Sequence, residues 1–403
     1  MSVVAADIAR ARAAVCDVAR RTPLLPSETL SERCGAQVAL KAENLQRTGS
    51  FKLRGALNKL ASLGAGCERG VVAGSAGNHA WALADAARER GVPCEVFMPT
   101  QAPLAKIEGC VALGATVYFV GDSLEDCFVA ATARSQEGGL AFVHPFDDPD
   151  VVAGQGTVGL ELLEDVDDLA KVIVPLGGGG LASGIAIAVK SARPAVEVVG
   201  VQADACAPFA SSLMRGEPVA VRSALTIADG IAVKRPGELT LALVQRWLDD
   251  VVTVGEDEIA EAMVLLMERS KLVVEGAGAV GVAALLGGLA APAPGGTTVV
   301  VLSGGNVDAG LLAAVTRRHE TQVGRRLVLF TRLPDRPGSL AHLLACVADA
   351  GGNLVEVEHV REGVDLHVRE TAVQLVLETR GREHARDVLG AIARDGYIAR
   401  VLN

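Results

Sequence analysis

The sequence runs to 403 residues, half of them apolar, with a net charge of −10, which suits two or three domains around a sizeable core. An acidic chain without a basic run argues against nucleic acid and against anionic membrane surfaces, because both are bound through clustered cations. An anionic ligand must then be held locally, by backbone amides or a few placed cations.

Up to Arg21, charges at Asp7, Arg10, Arg12, Asp17 and Arg20 interrupt any apolar run, so no signal peptide is expected. No stretch of about 20 uncharged apolar residues marks a membrane span. A cytoplasmic location is the expectation. Short β-rich runs follow at residues 38–40, 71–73, 94–98, 116–120, 172–175, 196–201 and 297–302. They alternate with Ala-rich helical stretches such as 80–90 and 124–134. This alternation predicts parallel α/β sheets, and the unbroken apolar strands predict sheets covered on both faces. With aromatics at only 3%, Ala, Val, Leu and Gly must do most of the packing.

The pattern changes near Gly324. A strand at 326–332, a helix at 338–350 closed by Gly351 and Gly352, and strands at 354–360 and 371–378 lead to a helix at 382–394 and a strand at 398–402. The order β-α-β-β-α-β is the ferredoxin-like plan. The expected organisation is a catalytic part over 1–320, with a smaller subdomain at about 45–150, and a second part over 325–403.

No two of the eight cysteines lie closer than 16 positions and no Cys/His cluster exists, so buried free thiols are expected, with neither disulfides nor a zinc site.

Four segments carry chemistry. In Thr48-Gly49-Ser50-Phe51-Lys52 a lysine sits just inside a helix start, where the electropositive terminus favours the neutral amine. Alone, the segment reads more readily as a surface lysine in an amphipathic helix. Gly74-Ser75-Ala76-Gly77-Asn78-His79 follows a strand and presents amides to a carboxylate or phosphate, or is simply a capped turn. His79 reads as a packed histidine rather than a base. Gly177-Gly178-Gly179-Gly180-Leu181 follows a buried strand and opens a helix. Without Cβ atoms such a turn can wrap a phosphate. It misses both strict GxGxxG and the GK[ST] of a P-loop. Ser303-Gly304-Gly305-Asn306 ends another strand, where open α/β sheets place ligands. An ordinary strand-to-helix turn would look the same.

Together, in this order, the four segments resemble fold-type-II pyridoxal-phosphate (PLP) enzymes, the threonine/serine dehydratase group above all. The resemblance covers about residues 15–320 and includes Thr226-Ile227-Ala228-Asp229-Gly230-Ile231 and Glu275-Gly276-Ala277-Gly278-Ala279. The tail, with Asp335-Arg336-Pro337-Gly338-Ser339-Leu340, resembles an ACT domain. The resemblance implies two parallel α/β subdomains and a ferredoxin-like regulatory domain. By position, it implies that Lys52 holds PLP covalently as an imine, with Phe51 beside it and Asn78 on the ring 3′-oxygen. Gly177, Gly178, Gly179, Gly180 and Leu181 would cradle the phosphate, and Ser303 would face the pyridine nitrogen. Ser75, Ala76, Gly77 and His79 would receive the substrate carboxylate.

The implied activity is a threonine ammonia-lyase, producing 2-oxobutanoate and ammonia in isoleucine biosynthesis or threonine breakdown, with serine to pyruvate as a second activity. A serine facing the ring nitrogen keeps it less protonated than a carboxylate would. This favours prompt β-elimination over transamination. The tail implies an amino-acid effector, such as isoleucine or valine, near Pro337, Gly338 and Asn353, and a homo-oligomer, dimer or tetramer.

The chain departs from the pattern in places. Ala76 stands where serine racemases carry a second serine, so racemisation is the weaker reading. Gln202 and Pro208 stand where some relatives bind a divalent metal, so no such site is expected. Trp81 and Gly276 replace a glutamine and a proline, and Trp81 is expected to alter the pocket's shape. A hydroxyaspartate dehydratase would need a cation that the sequence does not place. A non-catalytic amino-acid sensor is opposed by the intact Lys52, Asn78, glycine turn and Ser303.

Overall fold

The computed structural model describes residues 2–222, 225–362 and 365–402. The chain forms two compact units, one ending at Asp308 and the next beginning at Ala309. The division falls one helix earlier than the sequence suggests, because Ala309–Gln322 packs against the strand Arg326–Pro334 of the second unit.

The first unit contains two sheets. The larger orders its six strands Leu24–Pro26, Val38–Ala42, Thr297–Leu302, Leu169–Pro175, Glu197–Ala203, Asp250–Val254. All neighbours run parallel except the first pair, where Leu24 opposes Lys41 in an antiparallel register. Its central strands are buried along nearly their whole length, as the continuous apolar runs require. The smaller sheet is fully parallel, in the order Thr116–Phe119, Cys94–Met98, Val71–Gly74, Ala141–Phe142. One core gathers Val172, Val174, Ile185, Val299 and Val301 around the larger sheet, and another gathers Val71, Ala73, Leu83, Val96 and Met98 around the smaller.

Helix Pro149–Asp165 sits between Lys52–Leu63 and Gly180–Ala192. It starts sharply because the Asp148 carboxylate accepts from the amides of Asp150 and Val151, with Pro149 in the first turn. Small residues let these helices touch. A Cβ on Gly154 would lie 2.5 Å from the Arg54 carbonyl, and one on Gly184 2.5 Å from that of Val152.

A buried ionic cluster locks the helix that begins at Lys52. The Arg54 guanidinium, 1% exposed, forms a fork with Glu43 at 2.9 and 2.8 Å and a second with Glu161 at 2.7 and 3.0 Å. The fully buried Lys41 reaches Glu161 at 2.6 Å. Burial alone would raise the Glu43 carboxyl, and the adjoining guanidinium outweighs it, so Glu43 is held below its ordinary value.

After its leading helix Ala309–Gln322, the second unit has the order β-α-β-β-α-β, with an antiparallel sheet ordered Asn353–Val360, Glu370–Glu378, Arg326–Pro334, Ala399–Val401. Val373, Leu375 and Leu377 share the face that packs on Leu343, Val388 and Ile392. No helix among the described residues is long and apolar enough to cross a membrane. All eight cysteines are free, but only five are buried. Cys16 is exposed, and Cys34 and Cys346 are partly so, since each lies at or near a helix surface.

Replacing Arg54 by Met removes the partner of Glu43 and leaves a buried carboxylate uncompensated. The expected loss is about 3–5 kcal/mol in the urea-unfolding free energy. A loss below about 1 kcal/mol, the range of an exposed pair, would show that the cluster does not anchor this helix.

Candidate active site

The ends of strands Leu169–Pro175 and Thr297–Leu302 of the larger sheet, the turn after Val71–Gly74 of the smaller sheet and the start of helix Lys52–Leu63 meet around one cavity. The segment before Lys52 is stitched to the segment after Thr297–Leu302. The Phe51 amide donates to the Ser303 carbonyl at 3.1 Å, Gly305 N donates to Gly49 O at 2.9 Å, and Asn306 Nδ2 donates to the Thr48 carbonyl at 2.9 Å. Lys52 and Ser303 therefore border the same cavity, which spans about 490 Å³ including open solvent. Its lining also holds Phe51, Asn78, the four glycines Gly177 to Gly180, Leu181 and Glu275.

Lys52 is the first residue of helix Lys52–Leu63. Its amine donates to the Pro145 carbonyl at 2.8 Å and lies 5.3 Å from the centre of the Phe51 ring. Burial lowers its pKa to about 8, and the facing Glu275 carboxylate opposes the shift only partly. At neutral pH a useful fraction is thus the free amine. Burial, with Asp229 second, raises Glu275 to about 7, while its bond from Asn78 pulls the other way.

Gly177 to Gly180 form the floor. An added Cβ on Gly178 would sit 2.1 Å from the Phe146 ring, and one on Gly177 2.9 Å from Ile231 Cα. Gly179 has φ +94° and leads into helix Gly180–Ala192, whose start has no side-chain cap. Uncapped amides at a helix N-terminus suit a phosphate. Ser303 is 3% exposed and its hydroxyl has only a 3.5 Å contact to the Ala277 carbonyl, leaving it available to a ring nitrogen. The turn, the amine and the hydroxyl fit pyridoxal phosphate.

Asn78 opens helix Asn78–Arg90. Its Nδ2 donates to Glu275 at 2.6 Å, and its Oδ1 accepts from Asn306 at 2.7 Å. The turn Gly74 to His79 lines an adjoining cavity that shares Lys52, Asn78 and Glu275 with the first. In that turn the Ser75 amide already donates to the Phe97 carbonyl at 3.0 Å, and Gly77 N to the Ser75 hydroxyl at 3.3 Å. The Ser75 amide is thus taken up by the sheet, which leaves its hydroxyl for a carboxylate, and the Gly77 amide would have to exchange that hydroxyl for the ligand. His79 is 4% exposed and bonded to the Val143 carbonyl at 2.9 Å. Burial, reinforced by Lys52, lowers it to about 3, and burial lowers His144 to about 4. Values this low make both rings weak proton acceptors near neutral pH.

Several residues here carry no role in the sequence reading. Glu275 and Asn306 brace Asn78, and Lys106 lines the adjoining cavity, paired with Asp229 at 3.1 Å. A lone acid before the apolar run Gly276–Leu286 is a signal for Glu275. Lys106 has no local signal. Trp81 lies on the lining of neither cavity. Its indole donates to the Lys106 carbonyl at 2.8 Å and its ring lies against Gly109, so it supports the helix Leu104–Ala112 instead of shaping the pocket directly. Any Cβ on Gly276 would lie 2.2 Å from the Ile227 carbonyl, so the usual proline cannot fit without moving that loop. Gln202 Oε1 accepts from the Phe209 amide at 3.1 Å, and Pro208 opens the helix Pro208–Arg215. In the second unit, Gly338 precedes the helix Ser339–Asp349 and Asn353 is paired with Glu378 at 2.8 Å.

The profile of a family described as pyridoxal-phosphate dependent enzyme matches residues 15–304. The chain belongs to this family. An L-threonine ammonia-lyase of Thermotoga maritima is 44% identical over 397 residues, 98% of each chain. Among solved structures, a maize serine racemase is 33% identical with a TM-score of 0.75, covering 80% of this chain and 99% of that one. The processed form of threonine deaminase isoform 2 from Solanum lycopersicum is 36% identical with a TM-score of 0.73, covering 77% and 86%. Pyridoxal phosphate is thus the cofactor of this chain, and its enzymes' fold is the fold of the first unit.

A role for the Lys52 amine in holding the cofactor predicts that uptake by the apo-protein quickens as pH rises to about 8 and levels off above it. Stopped-flow absorbance of the yellow holoenzyme measures this. A rate still climbing steeply at pH 10 would mean an unshifted lysine.

Proposed function

We propose that this chain is an L-threonine ammonia-lyase, converting L-threonine to 2-oxobutanoate and ammonia, with L-serine to pyruvate as a second activity. The observation that carries the proposal is the convergence of Lys52, Ser303 and the glycine turn on one cavity, beside a turn fit for a carboxylate. The end-to-end likeness to a threonine ammonia-lyase supports it.

Bound pyridoxal phosphate would supply the electron sink for charge at the substrate α-carbon. Gly177, Gly178, Gly179, Gly180 and Leu181 would hold its phosphate, Asn78 its ring oxygen and Ser303 its ring nitrogen, with Phe51 against it. Ala76, Gly77 and His79, with the Ser75 hydroxyl, would orient the substrate carboxylate. Lys52 would hold the cofactor and then move the α-proton, its amine brought to about 8 by burial.

Lys106 is committed to Asp229. A dicarboxylic substrate would have to compete with that pair, which favours a small neutral side chain. Ala76 has no hydroxyl to protonate the opposite face, which speaks against racemisation. The second unit's β-α-β-β-α-β sheet supports an ACT-like regulatory role over about residues 325–403, following a catalytic part. It would bind a small amino acid, such as isoleucine or valine, between copies in a dimer or tetramer. Free thiols throughout suit the cytoplasm.

Purified protein given L-threonine should release 2-oxobutanoate, with L-serine giving pyruvate, and Lys52→Ala should reduce both to background. A yellow, folded protein that makes neither product would overturn the substrate while leaving the family intact. Ser303→Asp should raise the share of transamination products, detected as the pyridoxamine form of the cofactor; an unchanged product ratio would remove Ser303 from control of the reaction path.

A further inference from the structure

Outside the cofactor cavity, one set of side chains in the second unit has the character of a metal centre. His342 and Cys346 lie one turn apart on helix Ser339–Asp349, a spacing that places both on the same face. Asp395 directly follows helix Arg382–Arg394. The imidazole Nδ1, the thiol sulfur and a carboxylate oxygen all lie within 4.8 Å of one another. Nδ1 stands 3.0 Å from Asp395 Oδ2, and Sγ stands 2.8 Å from the same oxygen. The Tyr397 hydroxyl is 2.9 Å from His342 Nδ1, at the rim.

We propose that His342, Cys346 and Asp395 bind one divalent transition-metal ion of the zinc class. Ligand atoms bound at about 2.0–2.3 Å to one tetrahedral ion stand some 3–4 Å apart, which is close to the spacing present. One sulfur, one imidazole nitrogen and one oxygen suit zinc over calcium or magnesium, which prefer oxygen alone. Charge balances as well: thiolate and carboxylate together neutralise a divalent ion, with the imidazole neutral. On binding, the S–H bond of Cys346 breaks, its proton passes to solvent and a metal–sulfur bond replaces it. Three protein ligands leave a fourth position open to water or to an added ligand. The ion would tie the helix Ser339–Asp349 to the chain end of Arg382–Arg394, stiffening this unit. The proposal is independent of the reaction assigned to the first unit. It departs from the expectation that the chain carries no metal, because the third ligand lies far along the sequence from the other two.

The test uses full-length holoenzyme stripped with a chelator and titrated with zinc(II), then with cobalt(II) as a coloured substitute. The expected result is one zinc per chain at micromolar or lower concentration, and a thiolate-to-cobalt charge-transfer band in the near ultraviolet. Cys346→Ser should abolish the band. His342→Ala should weaken binding at least about tenfold, with every thiol still in place. Asp395→Asn is the second, conservative variant, and unfolding curves in chelator should match the parent for each. Zinc should raise the parent's unfolding temperature and not that of His342→Ala. No zinc binding by the parent, or unchanged binding by His342→Ala and Cys346→Ser, would overturn the proposal.

Discussion

The pocket depends on a short backbone contact between Thr48–Phe51 and Ser303–Asn306. Two amide–carbonyl bonds and the Asn306 amide hold these segments together. Gly49 makes the approach possible. It has φ +75°, and an added Cβ would sit 2.2 Å from Asn306 Oδ1. Once this contact forms, Lys52 stands at a helix start, Ser303 stands at a strand end, and both face the glycine turn. Asn306 then reaches past the seam to Asn78, so the smaller sheet's first turn is drawn into the same arrangement.

Electrostatics divides the first unit into two kinds of buried charge. Beneath the Lys52 helix, Arg54, Glu43, Glu161 and Lys41 are fully paired and inert. In the cavity, Lys52 and Glu275 are left with incomplete compensation, and burial pushes the amine down and the acid up. The paired cluster fixes the helix; the unbalanced pair supplies a group able to exchange a proton near neutral pH. Two residues apart on one helix, Lys52 and Arg54 differ in role because they point into different surroundings.

The departures at Trp81 and Gly276 lie outside the glycine turn itself. Trp81 props the helix that carries Lys106, and Lys106 joins Asp229 across the adjoining cavity. Gly276 lets the Ile227 carbonyl approach the start of helix Gly276–Leu286. Both changes shape the loops around the substrate space and leave Lys52, Asn78, the glycine turn and Ser303 in place. Relatives with a threonine deaminase and a serine racemase name share this scaffold, which is why side chains such as Ala76 weigh more than fold in reading the reaction.

The sequence by itself determined what local chemistry can carry. Alternating apolar strands and Ala-rich helices specified parallel sheets, because strands buried on both faces must be apolar throughout. The switch after Gly324 specified the β-α-β-β-α-β order of the second unit. Glycines after the strand Leu169–Pro175 stood out as a candidate phosphate turn, since few other demands put four glycines together at a helix start, whereas Lys52 became a candidate only through the joint resemblance of four segments. Only the tertiary structure decided what depends on distant partners. The Arg54 cluster, the bracing of Asn78 by Glu275 and Asn306, the Lys106–Asp229 pair, the use of the Ser75 amide within the sheet and the meeting of His342 and Cys346 with Asp395 each join residues far apart in the chain. Pairing of that kind has no periodicity to read. It follows from how the sheets and helices pack, and packing is set by the summed shape of side chains rather than by any one segment.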